Sequence, residues 1–220
     1  MVDDLANTLP DIPNLVRICK AIAMLDAILC QEWEMRYYSF NSMWNKDDPS
    51  EMMASMRDGC GDHYFIWFMR EGAAIKGFAH ESVLNPINND GAPFPEVLAD
   101  FPNELSYFLR EAAFSIEDTT FCYWRRRGDQ AWISGNISFP VTAGADPDGS
   151  RNMLGILDGR PSTYVDYARD YFELEIDEAD VHHIYQLKPL NAELLHRLQS
   201  DRKLDEFAEE IQEIGYIRGT

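Results

Sequence analysis

Positive charge is scarce in this chain. Lysine and arginine number 19 against 38 aspartates and glutamates, a formal net charge of −19. Phosphate backbones and anionic membrane surfaces are therefore repelled by the molecule as a whole, and a charged partner is expected to be basic. Cysteine is sparse as well: Cys19, Cys30, Cys60 and Cys122 are scattered, with no C-x-x-C pair, as in a protein with free thiols. The longest apolar run, AIAMLDAILC at 21–30, is interrupted by Asp26 and falls short of the span a bilayer requires. The opening MVDDLANTLPDIP is acidic where a secretory signal would be basic and then apolar, so a cytoplasmic location is expected. G-x-S-x-G, the P-loop, G-x-G-x-x-G and H-E-x-x-H are all missing. Neither a cofactor nor a metal is expected.

What is present supports a sizeable core. Hydrophobic residues make up 45% and charged residues 26% of 220 residues, enough apolar surface to fold without disulfides or metal. From Asn14 to Gln31, Leu15, Ile18, Cys19, Ile22, Leu25 and Leu29 recur at helical spacing. EMRYYSFNSMW (34–44) reads as a strand, and HYFIWFM and AAIKGFAHE follow as a hairpin. Four prolines between 82 and 102 make a long loop with at most a short helix near Glu96–Ala99; NELSYFLREA (103–112) is helical, with Leu105, Phe108 and Leu109 on one side. DTTFCYWRRR and QAWISGNISF form a second hairpin through Gly128-Asp129. This gives at least five strands in the first 140 residues.

After TAGADPDGSRN the character turns helical. Tyr164, Val165, Ala168, Tyr171 and Phe172 follow caps at Ser162 or Thr163, while Ile176/Asp177/Val181 and Leu190/Asn191/Leu195 match the hydrophobic staple. Leu204, Phe207, Ile211 and Ile214 share one face of a last helix that stops at Gly215. The fold class is α+β: an antiparallel sheet built from hairpins with an N-terminal helix (1–155), and a helical C-terminal third (156–220) packed on it as one continuous domain.

DGCGDHYFIWF (58–68) is the stretch closest to chemistry. A two-residue Glu71-Gly72 turn would pair His63 with His80, Phe65 with Phe78 and Trp67 with Lys76. That would assemble Cys60, His63, His80 and Glu81 at one sheet edge, a set able to bind zinc or to activate a thiol. The preferred reading is structural, with GCG a flexible entry into a central strand covered on both faces. His182-His183 is a helical pair whose rings diverge, and ADPDGS lacks the remaining positions of a calcium loop. In WRRRGDQAW the arginines point alternately up and down, for snorkelling and carboxylate pairing rather than phosphate contact.

RYYSFNSMW, GDHYFIWF, IKGFAHES, DTTFCYWR and the closing EIGY resemble a family of bacterial cytosolic proteins to which no activity is assigned. The resemblance covers most of the chain and implies no catalytic residue or cofactor. In size, acidity and aromatic-rich α+β build the chain is also similar to immunity proteins of bacterial toxin systems, which implies a binding role. The expected function is a non-enzymatic binding or regulatory protein whose acidic surface meets a basic protein. Glu206, Glu209, Glu210 and Glu213 on the last helix would form that surface, since 13 acidic residues lie against 4 basic ones between Asp170 and Glu213. The alternatives are a small hydrolase or metal-dependent enzyme using Cys60, His63, His80 and Glu81, and a homo-oligomer joined through an exposed Tyr37–Trp44 strand.

Overall fold

The computed structural model describes residues 5–139 and 144–217; the acidic start at 1–4, and Thr142 and Ala143 of the glycine-rich loop, lie outside them. A short helix α1 (Leu5–Thr8) leads into α2 (Ile12–Leu29). Asp11 caps α2 by accepting the Asn14 N–H at 2.9 Å, with Pro13 in the first turn. The helix is buried almost all round, because the sheet covers one side and C-terminal helices the other.

Six strands follow as an antiparallel meander in sequence order: β1 (Tyr38–Asn41), β2 (Met52–Arg57), β3 (His63–Phe68), β4 (Gly72–Phe78), β5 (Phe121–Arg126) and β6 (Ile133–Ser134). Alternation sorts the side chains cleanly. Tyr64, Ile66, Phe68, Ala73, Ile75, Phe121 and Tyr123 face α2 and the C-terminal helices. Phe65, Trp67, Ala74, Cys122 and Trp124 face the opposite way, under Leu84, Val97, Leu105, Phe108 and Phe114 of the 82–114 segment. The central strands are thus apolar at both parities because both faces are covered.

Several expectations are corrected. The β3–β4 turn is Arg70-Glu71, closed by Met69 N–H donating to Gly72 O at 2.8 Å. His63 therefore faces Phe78, Phe65 faces Lys76 and Trp67 faces Ala74, a register shifted by two residues. Gly72 is needed in the strand instead of the turn: a Cβ there would stand 2.3 Å from Arg125 O on β5. The strand expected over 34–44 is confined to β1, with a 3-10 turn at Trp33–Met35 before it. Of its aromatics, Tyr38 and Phe40 lie in the core, while Tyr37 and Trp44 are partly exposed, Trp44 stacked 5.9 Å from Phe114. The 103–112 helix is three 3-10 turns, at Asn103–Leu105, Phe108–Arg110 and Ala112–Phe114, which still bury Leu105 and Phe108.

The C-terminal third contains α3 (Ser150–Leu154), α4 (Pro161–Tyr171), α5 (Glu178–Tyr185), α6 (Ala192–Arg197) and α7 (Ala208–Ile214), with no strand between 160 and 215. Asp146 and Asp148, in the stretch resembling a calcium loop, accept N–H groups of Ser150, Arg151 and Asn152 and cap α3. Helix α4 starts at Pro161, with Arg160 at the cap position, because proline at the first helical position needs no N–H partner. Asp177 and Asn191 cap α5 and α6 as the staples predict, and Gly215 closes α7 at φ 64°.

One polar contact joins three of these elements. Asp26 in α2 is fully buried; its Oδ2 accepts the N–H of Tyr37 and of Tyr38 at 2.9 Å each, and its Oδ1 accepts the Tyr164 hydroxyl of α4 at 2.7 Å. Burial pushes this carboxyl from 3.8 up to about 7, against the pull of the three hydrogen bonds. Removing the acceptor strands three buried donors, so Asp26→Ala is expected to cost about 3–5 kcal/mol in urea unfolding. The folded chain retains this proton between pH 3.8 and about 7, where the unfolded chain releases it. The carboxyl therefore favours folding most at low pH, and its contribution declines as pH rises through that window. Asp26→Asn removes that slope; a slope unchanged in the variant would assign the proton elsewhere.

Candidate functional site

The loop between β2 and β3 is a ridge built by one carboxylate. Asp58 Oδ1 accepts the N–H groups of Cys60, Gly61 and Asp62 at 2.8, 3.0 and 3.0 Å. Gly59 and Gly61 take φ values of 73° and 125°, which residues carrying a Cβ rarely adopt. The glycines flanking Cys60 thus serve the turn, as the structural reading expects.

On one side of the ridge His63 opens β3, its ring centroid 5.6 Å from Phe65 and 5.5 Å from Phe78. Its Nε2 lies 3.2 Å from Nζ of Lys76, a lysine with no exposed surface, whose ammonium also donates to Ser115 O and Asp118 O at 3.1 and 2.6 Å. Lysine can only donate, so Nε2 accepts and Nδ1, 3.3 Å from Gly61 O, carries the ring proton. Burial pushes Lys76 down to about 8, opposed by Asp118. Burial and then the Lys76 charge hold His63 below its usual value. A cleft of about 380 Å³ lies here, lined by Arg57, His63, Phe65 and Ser115.

His80 lies beyond the end of β4, its Nδ1 2.6 Å from Asp62 Oδ1, which also accepts its N–H at 2.8 Å. That hydrogen bond raises the His80 pKa. Glu81 is exposed, 4.0 Å from His80 Nε2. The exposed Cys60 lies near Tyr37 and Tyr171 and hydrogen-bonds to neither histidine. The two-residue change of register removes the pairing that would have joined Cys60, His63, His80 and Glu81: each histidine is claimed by a different partner, Lys76 or Asp62. Among the described residues no group of three or more His, Cys, Asp or Glu is placed to hold a metal.

On the other side of the ridge lies a larger cleft, about 530 Å³, between β1, the Asp58–Asp62 loop and the α3–α4 region. Tyr37, Tyr38, Asp58, Asp62 and Tyr167 line it, and Asp62 borders both clefts. Tyr37 packs at a tilt against Tyr171, ring centroids 4.2 Å apart, and Tyr167 stacks on Tyr171 at 5.6 Å. Asp26 lies beneath, holding the Tyr37 and Tyr38 backbones. The sequence signal for Asp26 and Lys76 was a lone charge inside an apolar run; nothing marked Asp62 or Tyr167.

The four expected glutamates are not equivalent. Glu210 is mostly buried between Arg36 at 3.3 Å and Arg202 at 2.6 Å. Glu206 Oε2 accepts the Lys203 N–H at 2.7 Å, while Glu209 and Glu213 are exposed. Comparison of the chain with protein-family models, curated proteins and solved structures finds no match, so the site is read from its own geometry.

The thiols give a direct check. With a disulfide-exchange reagent, Cys60 in the native protein is expected to label fastest, while the buried Cys19 and Cys122 label only on unfolding. The Cys60 rate should be unchanged in His63→Gln and His80→Gln. A drop of about tenfold in either variant would restore a thiol–imidazole pair.

Proposed function

We propose that the protein is a non-catalytic binding protein whose acidic helical surface engages a basic partner protein. The observation that carries this reading is the uneven charge: the 170–213 segment holds 13 acidic residues against 4 basic ones, and Glu209 and Glu213 extend from the exposed side of α7, with Glu206 exposed on the 3-10 turn (Leu204–Phe207) that precedes it. Such a surface accelerates encounter with a cationic partner through long-range steering. The similarity in size and acidity to immunity proteins accords with it. Glu210 has a different role, because its two arginines tie α7 to the segment before β1 and to the turn that precedes α7.

Affinity capture from host extract, followed by binding kinetics with the captured protein, tests the proposal. Association is expected to slow by about tenfold or more between ~20 mM and ~500 mM salt. The triple change Glu206→Gln, Glu209→Gln, Glu213→Gln should slow it at low salt while leaving the unfolding midpoint in place. Glu210→Gln should instead lower stability by about 1–3 kcal/mol. A captured partner whose association ignores both salt and the triple change would overturn the reading.

A further inference from the structure

The tyrosine-walled cleft beside β1 has features that the acidic helix does not explain. Tyr38 lines it, and its hydroxyl makes no hydrogen bond with the described residues. The hydroxyl of Tyr167, also a lining residue, is buried and unpaired. Folded proteins rarely leave a buried hydroxyl unsatisfied, and one in the wall of a cavity marks a place where a ligand completes the hydrogen bonding. The carboxylates add free acceptors of their own. Asp58 spends Oδ1 on three backbone N–H groups, and Asp62 spends Oδ1 on His80. Their Oδ2 atoms receive no hydrogen bond from the described residues.

The remaining lining charges are already committed. Asp158 accepts from Arg160 at 2.7 Å and from the Thr163 hydroxyl at 2.6 Å, so the Asp158–Arg160 pair is neutral within itself, and Arg151 makes a contact of its own. What the cleft offers is therefore acceptor-rich at the Asp58–Asp62 end and aromatic along the Tyr37, Tyr38 and Tyr167 wall. Aromatic faces attract cations, and a carboxylate pair accepts several N–H donors at once. A volume of about 530 Å³ exceeds what a water or a bare ion needs and falls in the range of small-molecule sites.

We propose that this cleft binds an organic cation, a protonated amine or guanidinium on an alkyl stem, with the charged head between Asp58 and Asp62 and the stem along the tyrosines. The source is either a free small molecule or a lysine or arginine side chain presented by another chain. The proposal is independent of the acidic helix and would survive the loss of that reading.

The test is titration of the purified chain, followed by calorimetry and amide-shift mapping, with n-butylammonium, agmatine, a terminally blocked lysine peptide and butyrate as the anionic control. Saturable 1:1 binding of at least one cation, with a Kd of about 1 mM or tighter, is expected. Shifts should centre on Tyr37, Tyr38, Asp62 and Tyr167, and butyrate should not bind. Tyr38→Phe and Asp62→Asn should each weaken binding about tenfold. Preference for the free cations assigns the site to a small molecule, and preference for the peptide assigns it to a partner's side chain; either supports the site. No saturable binding by any cation, equal binding of butyrate, or affinity unchanged in both variants would overturn it. Should either variant fail to fold, shifts in the wild-type chain that map away from the cleft would do so.

Discussion

The carboxylate of Asp26 is the contact on which the arrangement of the molecule turns. It sits in the middle of an apolar helix and reaches two consecutive backbone N–H groups at the start of β1 and a tyrosine hydroxyl in α4. A buried carboxylate is costly unless its lone pairs are used, and here one group satisfies donors from two other elements. That requirement fixes how far along α2 the sheet begins and where α4 comes down on it. Hydrophobic contact alone is non-directional and would tolerate sliding. The polar contact supplies the registry, and with it the positions of Tyr37, Tyr38 and Tyr167 around the larger cleft.

The opposite face of the sheet repeats the device with the other sign. Lys76 lies fully buried beneath the 82–114 segment and holds the carbonyls of Ser115 and Asp118 just after it. Those 3-10 turns have few backbone hydrogen bonds to neighbours and depend on burying Leu105, Phe108 and Phe114, each worth about 1.5–3 kcal/mol when fully buried. The ammonium gives that apolar lid a fixed place on the strands. Between the two faces the Asp58–Asp62 ridge projects from the sheet, which is why it borders a cleft on each side.

Much of this was legible in the sequence. The α2 periodicity, the staples at Asp177 and Asn191 and the Gly215 stop were read from side-chain spacing, which local physics determines. Strand β2 was not: MMASMR carries no β-branched residue and no alternation, and it pairs because β1 and β3 flank it. The β3–β4 register differs from the expected one because Gly72 looks like a turn residue, while its real reason is the close approach of β5, a tertiary fact. The same error created the apparent Cys60, His63, His80 and Glu81 cluster. Asp26 and Lys76 were visible only as interruptions, since no local pattern says what a buried charge will meet.

A buried, partly protonated Asp26 organises β1 and α4. A ¹³C-detected titration of its side-chain carboxyl in the folded protein tests this most directly. A midpoint near 7 is expected, with the Tyr37 and Tyr38 amide shifts moving in step. A midpoint in the ordinary carboxylate range near 3.8, with those amides unresponsive, would contradict it.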